Sequence, residues 1–472
     1  MSIYRNHLPI MGASGQSTGY TIDQSIRFND NDSAFMSRTP GSTSSNSGRR
    51  KWTISCWVKI GAAPGDFTIW SVHTGYQSYA QVRSDGLEFA VGNGASSNSY
   101  HKTNRVFRDS SAWYHFVFVF DSTSSVDEER ARIYVNGQRE ISFSTIGSWA
   151  ENYDSNVNHN QAHYIGEQGT GGNHWDGYIT EFHQLDGYAY GPEYFGEFND
   201  SNIWIPKEYT ESYGGNGHFF DGRDSSDLGD DESGNGNDFT TSGLATNDQS
   251  LDSPTNNFAV LNPHDSYDKL QGEIRNGNLE LKDNSASAYV YGRATFEFDV
   301  TDSDGWYWES LDVVDGSGIG GITEIESQYS SGSALAFTGA RGFNSINTGS
   351  HMKLENTTYN SVNLGVTSNA GDIIQFCAKN GKLFIGINGT YVLSGNPATE
   401  ANPLFSSLTG KFAPFAGLYS GSSYNTIHNF GQDGTFAGNK TAQGNKDAKG
   451  FGNFYYAPPT GAKALCSRSL GA

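Results

Sequence analysis

Arg132-Ile-Tyr-Val-Asn-Gly-Gln-Arg-Glu-Ile141 and Lys382-Leu-Phe-Ile-Gly-Ile-Asn-Gly-Thr-Tyr-Val-Leu393 spell the same device twice, Asn-Gly between two strand-like runs. A two-residue type I′ turn needs φ > 0 at both central positions, which glycine takes freely and asparagine tolerates, so each stretch predicts a β-hairpin. In the second copy Asn380-Gly381 precedes the first strand, which predicts a three-stranded meander over 373–378, 383–387 and 391–393. The first copy has the same meander with a longer first loop, Tyr114 to Phe120, then Asp121 to Arg130, then the hairpin. Two related sheets in one chain are expected.

Composition agrees. A chain of 472 residues exceeds the ~250 to 300 residues at which one core stops growing, so two large domains are expected. Fifty-eight glycines, 14% aromatics and four methionines suit short strands and tight turns better than helices. The helix candidates are short, such as Gly191 to Phe198.

The net charge of −21 argues against a nucleic-acid binder, which needs a basic patch to displace phosphate counterions. The acidic excess gathers between Asp186 and Asp238, where thirteen carboxylates face only Lys207 and Arg223. With no long apolar run and no signal-peptide core at the start, neither membrane insertion nor secretion is expected. Cys56, Cys377 and Cys466 have no metal spacing and an odd count, which predicts free thiols.

Residues 1–20 read either as an arm that docks on a neighbour or as a frayed terminus. Strand patterns then follow at short, regular spacing. In Lys51-Trp-Thr-Ile-Ser-Cys-Trp-Val-Lys-Ile60 the alternation puts Trp52, Ile54, Cys56 and Val58 on one face and Trp57 on the other. Further strands are expected at 67–72, 79–82, 87–91, 113–120, 131–135, 141–144, 163–166 and 178–184, which together indicate a sandwich.

The order Trp52 to Lys59, Trp113 to Phe120, Ile133-Tyr-Val-Asn-Gly137, His163-Tyr-Ile-Gly166 and Trp175-Asp-Gly-Tyr-Ile-Thr-Glu-Phe182 resembles a laminin-G/pentraxin-like, concanavalin A-type jelly roll over residues 21–190. Residues 191–261 contain Ile203-Trp-Ile-Pro-Lys207, Gly217-His-Phe-Phe-Asp221 and Asp231-Glu-Ser-Gly-Asn-Gly-Asn-Asp-Phe239, too aromatic for a free tether, and are expected to pack on the first domain. Over 262–436, Gly305-Trp-Tyr-Trp-Glu309, Gly371-Asp-Ile-Ile-Gln375, the second Asn-Gly hairpin and Asn429-Phe-Gly431 resemble, in order, a SPRY domain. The implied fold class is all-β, two concanavalin A-like jelly-roll sandwiches in tandem, with 437–472 as a C-terminal tail. That tail, Gly450-Phe-Gly-Asn-Phe-Tyr-Tyr-Ala-Pro-Pro-Thr-Gly-Ala-Lys-Ala-Leu-Cys466, and the acidic connector resemble virion proteins of tailed, marine-type phages that join these two modules.

The candidate chemistry is mostly recognition. Gly316-Ser-Gly-Ile-Gly-Gly321 fits G-x-G-x-x-G but lacks the βαβ unit that the dinucleotide motif needs, and reads as a glycine-rich loop. Asp230, Asp231 and Asp238 offer oxygens for Ca²⁺, although Asx residues beside glycine also simply make turns. Glu309 is the best single carboxylate for glycosidase work, yet no partner acid, nucleophile elbow or Cys-His pair stands out, and no enzyme is expected. Sugars present apolar C–H faces and hydroxyls, so their sites set Trp or Tyr platforms among polar groups on a rigid scaffold. Gly75-Tyr-Gln-Ser-Tyr79, Gly169-Thr-Gly-Gly-Asn-His-Trp175 and 349–363 have that composition, which singles out Tyr76, Tyr79, His174, Trp175, His351 and Tyr359.

The resemblance implies a virion structural protein of a tail fibre or surface appendage that contacts host-surface glycan or protein. It would assemble with other virion proteins and as a homo-oligomer, a trimer by preference. A capsid decoration or head-fibre protein and a surface-polysaccharide depolymerase are the alternatives.

Overall fold

The computed structural model describes residues 19–470 except 62–64, 74–76, 94–97, 170, 268–271, 284–288, 315–317, 328–336, 338, 345–351, 357 and 420–423. Tyr76 and His351 therefore lie outside the described residues. The described chain forms two compact units, which meet in sequence at Asn256 and Asn257.

In the N-terminal unit one sheet orders the strands Gln138–Arg139, Ala131–Val135, Trp113–Asp121, Lys51–Ile60, Gly177–Asp186, Ser25–Phe28 and Gln249–Ser250, with His218–Phe220 also paired to Gly177–Asp186. The other orders Phe143–Thr145, Asn98–Thr103, Gly86–Gly92, Ser78–Arg83, Phe67–His73, Ala162–Ile165, Phe35–Arg38 and Thr240–Ser242. Neighbours in both sheets run antiparallel. Trp52, Ile54, Cys56 and Val58 point into the core with Trp70, Phe89, Phe116, Phe118 and Trp175, while Trp57 joins a separate outer cluster with Trp113 and Tyr178. The period-2 reading of Lys51–Ile60 thus holds residue by residue.

Trp57, His115, Val117 and Val119 make the outer face of the first sheet too apolar for water, and the segment 187–256 covers it. Phe195 and Tyr209 pack on Val117 and Val119, and Trp204 lies over His115 at 5.9 Å between ring centroids. Within this cover Gly191 to Phe198 is not a helix. Pro192–Tyr194 makes one 3-10 turn and Gly196–Phe198 pairs with Trp204–Pro206 as a two-stranded ribbon. Burying Phe195 against the sheet outweighs the weak helical signal of eight residues.

The C-terminal unit has two more sheets. One runs Leu261–Tyr267, Tyr289–Ala294, Lys411–Tyr419, Gly318–Glu324, Ala340–Asn344, Met352–Glu355 and Thr358–Asn363; the other runs Gly272–Arg275, Glu280–Asp283, Asn425–Asn429, Trp306–Asp312, Ile373–Lys379, Lys382–Ile387 and Thr390–Tyr391. The glycine run read as a loop is a strand from Gly318 onward, where a Cβ on Gly320 would come 2.9 Å from the Phe376 ring. These glycines serve core packing.

The three Asn-Gly turns singled out from the sequence have the expected backbone, with φ of 48° and 76° at Asn136 and Gly137, 50° and 71° at Asn380 and Gly381, and 48° and 84° at Asn388 and Gly389. Gly389→Val forces a β-branched residue into the left-handed region, and its new Cβ would stand 3.3 Å from the Tyr456 ring. The expected cost is about 1–3 kcal/mol, measured by urea denaturation. A variant that unfolds at the wild-type midpoint would refute the turn assignment.

Candidate carbohydrate-binding face

Alternation in the second sheet of the N-terminal unit decides what it shows to solvent. Ala80 and Val82 face the core, as do Leu87, Phe89 and Val91, so Tyr79, Gln81, Arg83, Glu88 and Ala90 lie on the other side of the sheet, where Gln81, Glu88 and Ala90 are buried and Tyr79 and Arg83 half-buried. Register then lines these residues up across strands. Tyr164 stands opposite Ser71, Ser71 opposite Tyr79, Tyr79 opposite Ala90 and Ala90 opposite Tyr100. The adjacent row reads Thr68, Gln81, Glu88 and Lys102. Five strands therefore carry a row of three tyrosines alternating with small residues, beside a row of polar ones. Tyr100 is 37% exposed and Tyr79 and Tyr164 are half-buried, whereas Ser71 and Ala90 are buried between them.

Hydrogen bonds fix the polar row. The Tyr79 hydroxyl donates to Glu88, and burial, reinforced by this bond, holds its pKa well above the ordinary tyrosine value. Gln81 Nε2 donates to Thr68 Oγ1 at 3.0 Å, and Arg83 Nη1 donates to Gln81 Oε1 at 3.3 Å. Arg83 also pairs with Asp66 at 2.9 Å and with Glu88 at 3.6 Å, and Lys102 pairs with Asp85 at 2.6 Å. At the Tyr164 end, Phe35 packs on Tyr164 at 6.0 Å and on His174 at 6.3 Å between centroids. The loop that carries His174 is tied down there, since Gly171 N donates to the buried Glu167 carboxylate at 2.6 Å and Ser71 Oγ donates to Glu167 O at 2.8 Å. These bonds hold the side chains of the face in place, and such preorganisation lowers the entropy cost of binding.

Of the residues singled out from sequence, this face brings together Tyr79 and His174. Trp175 is corrected: it is fully buried, edge-on to Phe67 at 6.4 Å, because its large apolar ring packs into the core of the sandwich. Tyr359 lies in the C-terminal unit, on the strand Thr358–Asn363 opposite Leu354. The Asp-rich turn is also corrected. Asp231 spends its carboxylate on Phe219 N (2.9 Å), Ser233 N (3.0 Å), Ser233 Oγ (2.8 Å) and Asn237 N (2.8 Å), Asp238 accepts from Asp231 N at 3.1 Å, and Asp230 is exposed. These oxygens close a turn, and among the described residues no three His, Cys, Asp or Glu side chains converge as a metal site. Tyr100, Tyr164, Gln81, Glu88 and Lys102 were missed. Alternation could have put them on one face, but only register puts them in rows.

Two arrangements that look catalytic are structural. Ser55 Oγ and His115 Nε2 lie 2.8 Å apart, but His115 Nδ1 accepts from Trp204 Nε1 at 3.0 Å. An indole N–H can only donate, so the imidazole proton sits on Nε2 and points at the serine; this ring cannot take the serine's proton. Burial lowers the His115 pKa to about 3, which keeps it neutral. Glu309 is buried in the C-terminal unit and receives four hydrogen bonds.

The two antiparallel sheets of the N-terminal unit define the class, a laminin-G/concanavalin A-like jelly-roll fold. Residues 29–187 match the family model described as the concanavalin A-like lectin/glucanases superfamily. Among solved structures the chain is similar to the mouse laminin α1 chain domains LG4-5, at 10% identity over 87% of this chain and 88% of that one with a TM-score of 0.31. It is also similar to the native heptameric SAP-like pentraxin of Limulus polyphemus, at 19% identity over 36% of this chain and 78% of that one with a TM-score of 0.27. No curated protein matches the sequence.

Proposed function

We propose that this chain is a non-enzymatic structural protein of a tailed-phage appendage, and that its N-terminal sandwich holds host-surface glycan on the Tyr164, Tyr79 and Tyr100 row. The observation that carries the glycan reading is the row itself, three aromatic platforms on a sheet with amide, carboxylate and ammonium groups beside them. The virion assignment is supported by the connector Asp231 to Phe239, the tail Gly450 to Cys466 and the SPRY-like order of motifs in the second half. The His115 tautomer and the fully engaged Glu309 support the non-enzymatic reading.

Tyr100→Ala is the clean test, because its ring is exposed and its hydroxyl has no partner among the described residues. On a glycan array of bacterial surface polysaccharides the variant should lose about tenfold in affinity at an unchanged melting temperature, the worth of one aromatic contact. Equal binding by variant and wild type would remove the face from consideration. For the virion role, purified protein should compete with phage for adsorption to host cells and antibody should label the appendage. Labelling at lattice copy number on the head would favour a decoration protein, and release of reducing sugar from envelope polysaccharide would make it a depolymerase.

A further inference from the structure

The face says more about its ligand than its chemical class. We infer that it takes an uncharged glycan chain lying across the strands, not an acidic glycan and not a single terminal sugar; this rests on the glycan reading above.

The row supplies the length argument. Tyr164, Tyr79 and Tyr100 occupy the first, third and fifth of five adjacent strands, in one line of register. Neighbouring strands lie ~4.8 Å apart, so successive tyrosines are separated by about 10 Å and the row spans about 19 Å. Ser71 and Ala90 between them are small and buried and offer no further platform. A terminal monosaccharide would use one tyrosine and leave two idle. A chain of repeating units perpendicular to the strands meets all three.

Charge supplies the second argument. The cations of the face are already engaged, Arg83 by Asp66 and Glu88 and Lys102 by Asp85. Glu167 adds a fourth carboxylate at the Tyr164 end. Four carboxylates against two paired cations leave the face net negative, on a chain of formal charge −21. A uronate or sulfated sugar would have to break an ion pair to gain one, and would meet like charge throughout its approach. An uncharged chain pays neither cost.

The test is calorimetric titration of the full chain with dextran, laminarin and glucomannan, with alginate and heparin, and with uncharged oligosaccharides from two to six units. Uncharged polymers should bind and acidic ones should not. Affinity should rise at least tenfold from the disaccharide to the hexasaccharide, and Tyr100→Ala should abolish that rise. Tyrosine-dependent binding of alginate or heparin, or equal affinity for short and long oligomers, would overturn this inference and leave the glycan face standing. Silence toward every sugar, or binding that ignores all three tyrosines, would instead overturn the face itself.

Discussion

Asp252→Ala is expected to destabilise the N-terminal unit by about 3–5 kcal/mol, the range for removing one partner of a buried ion pair. Lys59 Nζ lies 2.6 Å from Asp252 Oδ2, with the two side chains 1% and 0% exposed. The other oxygen, Oδ1, accepts from Trp113 Nε1 at 3.0 Å, and Asp252 O accepts from Ser25 Oγ at 2.6 Å. Burial pushes the Lys59 ammonium below the ordinary lysine range, and Asp252 is the main group that pushes it back up. Without the carboxylate the lysine must shed its proton or stay charged in an apolar setting, and the indole N–H loses its acceptor. The same carboxylate ties the segment 187–256 to the sheet that it covers. Lys59→Met combined with Asp252→Leu should recover most of the loss, because the pair is costly chiefly when half of it is left behind. Urea denaturation followed by tryptophan fluorescence measures both. A single variant within 1 kcal/mol of wild type would show that the pair is not a fastening.

Glu309→Gln is the second large effect, and it depends on pH. Oε1 accepts from Tyr456 N at 2.7 Å and from the Tyr307 hydroxyl at 2.9 Å; Oε2 accepts from Tyr455 N at 2.9 Å and from Asn429 Nδ2 at 3.3 Å. A glutamine has one oxygen for these four donors, so its amide nitrogen must face a backbone N–H. The expected cost at pH 5 is about 2–3 kcal/mol. Burial outweighs the four donors and raises the Glu309 pKa from 4.5 to about 7. Between those values the folded chain keeps a proton that the unfolded chain has lost, so this group's contribution is fully present below the lower value and disappears as pH rises through the upper one. The wild type should lose about 3 kcal/mol over that window, a slope that glutamine lacks. The deficit of the variant should therefore shrink between pH 5 and pH 8. Parallel stability curves for the two proteins across that range would rule out Glu309 as the titrating group.

Both fastenings are invisible to a reading along the chain. Lys59 and Asp252 are separated by most of the N-terminal unit, and Glu309 meets Tyr455 and Tyr456 only after the intervening strands have folded. Composition marked Glu309 as a carboxylate beside aromatics, but whether such a group is an acid catalyst or an anchor depends on who donates to it. The binding face behaves the same way. Tyr79 was legible as an aromatic on a polar loop, yet its row partners Tyr100 and Tyr164 sit on strands that sequence reading either missed or treated as scaffold. Trp175 shows the converse error, since a glycine-rich, polar neighbourhood suggested exposure and packing against the core buried the ring.

What the sequence settled by itself was local. Asn-Gly demanded φ > 0 and placed three turns, and period-2 alternation assigned Trp52, Ile54, Cys56 and Val58 to the core and Trp57 to the other face. These follow from the conformational preferences and side-chain periodicity of adjacent residues, which no distant contact needs to supply. Which strands become neighbours, and in which register, was decided only by the tertiary structure, because pairing energy depends on side chains brought together from far apart in the chain. Register turned Tyr164, Tyr79 and Tyr100 into one row, and burial turned Asp252 and Glu309 from surface-type carboxylates into anchors.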